Sequence, residues 1–330
     1  MFYIINLWQD SSPDNQYISN TLIQKIEDNV KNNKKVILYL NKRWAHSSLV
    51  CTDCNNLSNC ERCDLSLNVH YNPLKLRCHF CGFEISLPLR CESCKSENLK
   101  KVGIGTQQIE DTLRKLFPKN NIFRFDADSV KNKSEKQKAL ETLRNAEIII
   151  GTKMITTGFD FKNVWLIGVI LLEQELAVPK YNIEERVYSN IKQLIWRGER
   201  NGEKTETVIQ TFIPDNENIK NIIYSNYKEF FTETLKERKL FNYPPFSEMV
   251  TIEYRDKNKD KAENFMKMIH HKLEIEDSEK AYDITLVPSP IKRYNQYHYR
   301  IILKWKDIKK FLQSIKHEIM RNGKLVVIFE

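Results

Sequence analysis

Up to Pro214 the chain alternates short apolar runs with amphipathic stretches. Phe2–Leu7 and Val36–Leu40 have strand length. Between them Leu22, Ile23, Ile26 and Val30 fall on one helical face behind Ser19, a hydroxyl placed to cap it. Further on, Gly103–Thr106 opens a helix carrying Ile109, Leu113, Leu116 and Phe117, stopped by Pro118. Asn121–Phe125, Glu147–Gly151, Val164–Leu172 and Glu206–Phe212 read as strands. Ser134–Asn145 and Ile183–Trp196 read as helices, the latter with Ile183, Val187, Ile191 and Leu194 in phase. Strands alternating with helices predict an α/β fold with a parallel sheet, and the fully apolar Val164–Leu172 suits its centre. Beyond Pro214 the pattern predicts a long helix (Ile219–Leu240) and then a strand (Met249–Tyr254), a helix (Lys259–Leu273) and two strands (Ile284–Val287, Tyr299–Lys304). A helix (Asp307–Ile319, capped by Asp307) and a strand (Leu325–Phe329) complete a βαββαβ order, a smaller α+β domain.

The interruption between the early strand and Gly103 holds all eight cysteines, as four Cys-x-x-Cys knuckles: Cys51/Cys54, Cys60/Cys63, Cys78/Cys81 and Cys91/Cys94. One such turn aims two thiolates at a tetrahedral metal, and two turns complete a closed structural site, so four predict two Zn2+ per chain. The competing reading is a disulfide framework. It needs an oxidising compartment, and no secretory signal is visible, so a cytoplasmic zinc protein is expected. Three pairings of the knuckles are open. Joining second to third encloses a loop of zinc-ribbon length and brings the outer knuckles together, which nests Cys60, Cys63, Cys78 and Cys81 inside Cys51, Cys54, Cys91 and Cys94. A cross-braced pairing is the alternative, and joining first to second leaves only a short tether. His70 and His79 lie in the module, but eight thiolates already fill eight positions.

The 330 residues are enough for two domains and a small insert, and a 41% hydrophobic content supports a packed core. No apolar run approaches membrane-spanning length, so no membrane partner is expected. The formal charge of +9 suggests an acidic partner such as nucleic acid. Zinc-bound thiolates and their ions would lower it to roughly +5. The Lys292–Arg300 stretch interleaves tyrosines with Arg293 and Arg300, a pattern suited to base stacking beside phosphate contacts; Tyr299 reads equally as a core residue of its strand.

Several stretches together resemble the PriA-type replication-restart helicases (primosomal protein N′). They are Val36-Ile-Leu-Tyr-Leu-Asn-Lys-Arg43 leading into Cys51, Gly103-Ile-Gly-Thr-Gln-Gln-Ile-Glu110, Phe123-Arg-Phe-Asp-Ala-Asp128, Tyr243-Pro-Pro-Phe246 and Pro288-Ser-Pro290. Ile150-Gly-Thr-Lys-Met-Ile-Thr-Thr-Gly158 is similar to helicase motif V. The resemblance covers the C-terminal part of that family. It implies a RecA-like second helicase lobe (residues 1–50 and 103–214), an inserted two-zinc ribbon module (51–102) and a C-terminal α+β DNA-binding domain (215–330). It also implies DNA-backbone contacts by Gly151 and Thr152, with Gly158 a close-approach glycine. A glycine, a hydroxyl and free N–H groups at the end of a buried strand suit phosphate, although Gly151-Thr152 alone also reads as a strand-ending turn. Implied partners are forked or single-stranded DNA, single-strand-binding protein and other primosome proteins.

Two departures shape the functional expectation. The family's Gln-x-x-Gly-Arg-x-Gly-Arg reads here Gln193-Leu-Ile-Trp196-Arg197-Gly198-Glu199-Arg200. Arg197 and Arg200 keep the arginine-finger type of position, while Trp196 and Glu199 replace glycines. In addition, the chain contains no Gly-x-x-x-x-Gly-Lys-Ser/Thr loop, the cradle for ATP phosphates and Mg2+. The expectation is therefore a PriA-like protein that binds DNA in replication restart and does not hydrolyse ATP by itself. ATP and Mg2+ would enter only if a separate first-lobe protein joined it as the other half of a 3′–5′ helicase. A zinc-ribbon scaffold for protein contacts is the third possibility.

Overall fold

The computed structural model describes the chain apart from residues 1, 41–47, 63–65, 72–73, 79–81, 127–138, 140, 157–160, 162, 178–179, 200–204, 279–280, 288–290, 294–295, 306–307, 318–321 and 330. Two compact units emerge. One comprises Met1–Asn59, Ser66–Leu76 and Ile85–Phe230; the other comprises Cys60–Leu65, Arg77–Glu84 and Phe231–Glu330.

The first unit is built on a six-stranded parallel sheet. In chain order its strands are β1 (Phe2–Asn6), β2 (Lys35–Tyr39), β8 (Ile122–Phe125), β9 (Ile148–Gly151), β10 (Val164–Ile170) and β11 (Glu206–Thr211), and across the sheet the order is β1-β11-β10-β2-β9-β8. Helices Asn20–Lys31, Thr106–Leu116 and Ile183–Glu199 lay their apolar faces on it. Leu22 and Ile26, Ile109 and Leu113, and Val187, Ile191 and Leu194 are all fully buried. Ser19 caps the first of these helices by accepting the Leu22 N–H at 3.1 Å, as its position predicts. The central strand β10 is buried along almost its whole length. The expected α/β lobe with a parallel sheet is present, and the strand order reverses direction around β2 and β10.

The Val164–Leu172 run does not remain a strand to its end. It stops at Ile170, Leu171 takes a left-handed conformation (φ 52°), and a short helix Leu172–Leu176 follows. Between β2 and the helix Thr106–Leu116 lie five more strands: β3 (Ser48–Cys51), β4 (Asn68–Tyr71), β5 (Leu74–Arg77), β6 (Glu84–Ser86) and β7 (Leu99–Val102). They form an antiparallel ribbon in the order β6-β5-β4-β3-β7.

The second unit contains a four-stranded antiparallel path β13-β15-β12-β16, made of β12 (Glu248–Asp256), β13 (Asp283–Leu286), β15 (Gln296–Trp305) and β16 (Leu325–Phe329). A short β14 (Ile291–Arg293) also pairs with β15. The helix Lys259–Glu276, capped by Asn258, covers one face. Here the smaller α+β region agrees with expectation, with β14 as an unforeseen addition; Asp307 lies outside the described residues. The expected single helix Ile219–Leu240 is two helices, Glu217–Tyr224 and Tyr227–Leu240. Ser225 is extended, and Asn226 starts the second helix reciprocally: its side chain accepts the Glu229 N–H while the Glu229 carboxylate accepts the Asn226 N–H. No helix among the described residues is long and apolar enough to cross a membrane.

Gly168, in the middle of β10, lets the helix Asn20–Lys31 lie close to the sheet. A Cβ there would sit 2.5 Å from Leu38 Cδ2 and 3.2 Å from both Leu22 methyl groups, and both leucines are fully enclosed. Gly168→Ala is therefore expected to destabilise the protein by about 1–3 kcal/mol through overpacking, read as a lower urea midpoint with an unchanged slope. An unchanged midpoint would mean that the core has slack at this point.

Candidate functional site

Three knuckles share one local geometry. In the first, the Cys51 N–H reaches the Asn56 carbonyl (3.0 Å) and Asn55 is left-handed (φ 58°). In the fourth, the Cys91 N–H reaches Ser96 O (2.7 Å) and Lys95 is left-handed (φ 63°). In the third, the Cys78 N–H reaches Phe83 O (2.8 Å) and Gly82 has φ 78°. The residue after each second cysteine must turn left-handed for the loop to close under the thiols, which Gly and Asn do with least strain.

The first and fourth knuckles come together. Cys51, Cys54, Cys91 and Cys94 place their Sγ atoms within 4.8 Å of one another, with Cys51–Cys94 at 3.6 Å and Cys54–Cys91 at 3.5 Å. A disulfide needs about 2.0 Å. Four thiolates about 2.3 Å from one tetrahedral zinc stand roughly 3.7–3.8 Å apart, so the donor set fits zinc. Burial opposes ionisation of Cys51, but the backbone N–H groups of Cys54 and Asp53 and the adjoining thiols outweigh it and bring its pKa to about 7. Cys54 is pushed the other way, to about 12, first by burial and then by neighbouring thiols. Cys60 and Cys78 are buried, whereas Cys63 and Cys81 lie outside the described residues.

Asp53, inside the first knuckle, ties the two knuckles together. Its carboxylate accepts Ser96 Oγ (2.6 Å) and Asn98 Nδ2 (3.0 Å), and these bonds hold its pKa below the usual carboxylate value. The only sequence signal for it was its place between two cysteines. Asn55 donates to Asp215 (3.2 Å), and the Lys100 ammonium of β7 lies 4.3 Å from the Trp8 ring centroid; both contacts fasten the ribbon to the lobe, beside the packing of Val50, Leu57 and Val102 into its core.

The second focus is the edge where the parallel strands end. In open parallel sheets, ligands bind outside the carboxyl ends of strands where the strand order reverses. At that point the turn after β10 buries three consecutive polar side chains, Glu173, Gln174 and Glu175. Glu173 accepts Thr211 Oγ1 (2.7 Å) and the Phe212 N–H (2.9 Å) at the end of β11. Gln174 pairs with both the N–H and the carbonyl of Ile104, each at 2.8 Å. Glu175 accepts the Tyr39 hydroxyl (2.8 Å) from the end of β2 and Asn190 Nδ2 (2.9 Å) from the helix Ile183–Glu199. Burial raises the pKa of both glutamates, against the lowering pull of these donors and, for Glu175, of the Lys153 charge.

Gly151 ends β9 at this edge. A Cβ on it would lie 2.3 Å from Ile155 Cγ2 and 3.2 Å from Phe125 O, so the turn Lys153–Thr156 folds back tightly only over glycine. Thr152 is 8% exposed, and Gly158 lies outside the described residues. Arg197 sits in the last turn of the helix, which runs straight through Trp196 to Glu199; Trp196 is exposed, Gly198 packs on Thr205 and Ile167, and Arg200 lies outside the described residues. In the second unit, Tyr297 and Tyr299 of β15 face the core. Tyr299 is 2% exposed with its hydroxyl bonded to Glu263 (2.8 Å), so neither ring shares the strand face of Arg300. Arg293 belongs to β14, and its side chain lies outside the described ones.

Comparison with known proteins agrees in one direction. Residues 60–85 match the model of the PriA DNA helicase Cys-rich region (CRR) domain. The replication restart protein PriA of Bacillus subtilis is 29% identical over 317 residues, covering 93% of this chain and 39% of that protein. PriA of Haemophilus influenzae is 28% identical, covering 95% and 44%, and PriA of Rickettsia felis is 33% identical, covering 78% and 40%. The chain thus spans about two fifths of the length of these relatives.

Tyr39→Phe removes one of the donors that hold the enclosed Glu175 carboxylate and leaves the oxygen it served short of a partner. The expected loss is about 1–3 kcal/mol, measured by chemical denaturation. A loss indistinguishable from zero would show that this carboxylate does not depend on the hydroxyl.

Proposed function

We propose that this chain, a relative of the PriA replication restart proteins, is a cytoplasmic zinc protein that binds forked or single-stranded DNA in replication restart and primosome assembly. The observation that carries the reading is a PriA-type Cys-rich region lying in the same ribbon as a four-thiol cluster of zinc geometry. Two Zn2+ ions are assigned, one to Cys51, Cys54, Cys91 and Cys94, the other to Cys60, Cys63, Cys78 and Cys81. Each ion would fix four thiolates and so help hold the short ribbon strands.

DNA is assigned to the edge of the parallel sheet at Gly151, Thr152 and Gly158, and to Arg293 and Arg300 of the smaller unit. The tight turn over Gly151 presents backbone close to whatever lies on that edge, and phosphate contacts there would position the strand without reading its sequence. ATP turnover is assigned only to a complex with a separate first lobe. Arg197 and Arg200 would then face the triphosphate, because arginines of this type act only on a nucleotide and metal already held in place.

Elemental analysis of unchelated protein is expected to give two zinc ions per chain; one or none would remove the two-site assignment. Binding of a fluorescent forked or single-stranded oligonucleotide is expected to weaken steeply as salt rises from about 50 to about 200 mM, because phosphate contacts release counterions. Salt-indifferent binding, or no binding, would overturn the DNA assignment.

A further inference from the structure

We infer that Asn322, at the turn into β16, is a self-modification site: its side-chain amide is converted through a cyclic imide to aspartate and isoaspartate. Gly323 follows it, so no side chain hinders attack by the next backbone nitrogen. The sequence holds one other Asn-Gly pair, Asn201–Gly202, which lies outside the described residues.

Around Asn322 each participating group is in the state the reaction needs. The electrophile is the Cγ carbonyl, whose Oδ1 accepts the Lys324 N–H at 3.2 Å. That donor polarises the carbonyl and stabilises the oxyanion formed when its carbon is attacked. The nucleophile is the Gly323 nitrogen, whose N–H makes no hydrogen bond among the described residues. Gly323 is exposed, and nothing lies within 4 Å of the place a Cβ would take. The leaving group is Nδ2, which makes no hydrogen bond among the described residues either. Other asparagine amides are held. Asn98 Nδ2 donates to Asp53 and Asn190 Nδ2 to Glu175, and a residue with a side chain follows each.

The Gly323 nitrogen gives its proton to solvent and bonds to Cγ. The Cγ–Nδ2 bond breaks, and Nδ2 takes up a proton and leaves as ammonia. Water then opens the imide. Cleavage at Cγ gives aspartate; cleavage at the main-chain carbonyl gives isoaspartate, with an extra carbon in the backbone. That carbon enters just ahead of β16, where Lys324 pairs with Asp256 (2.6 Å) and its carbonyl accepts the Arg255 N–H (3.3 Å).

The test incubates the full chain in mildly alkaline buffer, folded and in concentrated urea, and follows the peptide holding Asn322 by mass spectrometry. Conversion at Asn201 is read separately on its own peptide. With the Lys324 N–H assisting, Asn322 in the folded protein converts about fivefold faster than in the unfolded chain, the effect of one hydrogen bond on a rate. Gly323 is not left-handed and has open space around it, so Gly323→Ala folds normally and loses most of the conversion. Conversion in the folded protein no faster than in urea overturns the inference. So does a folded Gly323→Ala variant that converts as fast as the unaltered protein.

Discussion

The lobe depends on one requirement: three consecutive polar side chains buried after its central strand must all be satisfied. Removing a carboxylate from water costs several kcal/mol unless donors replace the lost solvent. Glu173 and Glu175 draw theirs from the end of β11, the end of β2 and the helix Ile183–Glu199, while Gln174 takes the backbone of Ile104. These segments come from widely separated parts of the chain. Their mutual positions are fixed because any relaxation would leave a buried polar group without its partner. The left-handed Leu171, a strain of about 1–2 kcal/mol, is how the strand turns sharply enough to aim all three inward.

The ribbon meets its requirement differently. Its strands are only three or four residues long, and the knuckles and their bonds to each other add to the order that buried Val50, Leu57 and Val102 provide. Asp53 spans from the first knuckle to the fourth, and left-handed residues close the first, third and fourth loops. Lys95 accepts a conformation that glycine would take with less strain, a local cost offset by the hydrogen bonds the loop completes. Asn55 makes the same turn and also reaches Asp215, so one residue closes a knuckle and docks it.

Periodicity made the parallel sheet and its helices legible, because Leu22, Ile26, Val187 and Ile191 lie on faces that only burial explains, and the knuckle spacing made the metal chemistry legible. The Glu173–Glu175 turn was not, since a charged Glu-Gln-Glu run reads as solvent-facing and nothing local reveals that Tyr39 and Asn190 wait for it. The break at Ser225–Asn226 was hidden because apolar phase continues across it, and only the Asn226–Glu229 pairing marks a new start. Tyr297 and Tyr299 sit among basic residues in a pattern that suits base stacking, with Tyr299 reading equally as strand core, and the core reading holds. On β15 the alternation of side chains turns them away from Arg300, and sequence adjacency became opposition across the sheet.

The strand order also sets a schedule. β1, an edge strand of apolar residues from Phe2, pairs with β11, whose register places Phe2 against Thr207. β1 thus waits for β11, made much later, before it is paired. At synthesis rates of about 5–20 residues per second, some 200 residues separate their emergence, a delay of roughly 10–40 s. For that interval Phe-Tyr-Ile-Ile is an unpaired apolar strand on a growing chain, and the sheet can assemble outward from β2, β9 and β10 only until β11 arrives. The nascent protein therefore passes through an interval in which this apolar edge has no strand beside it.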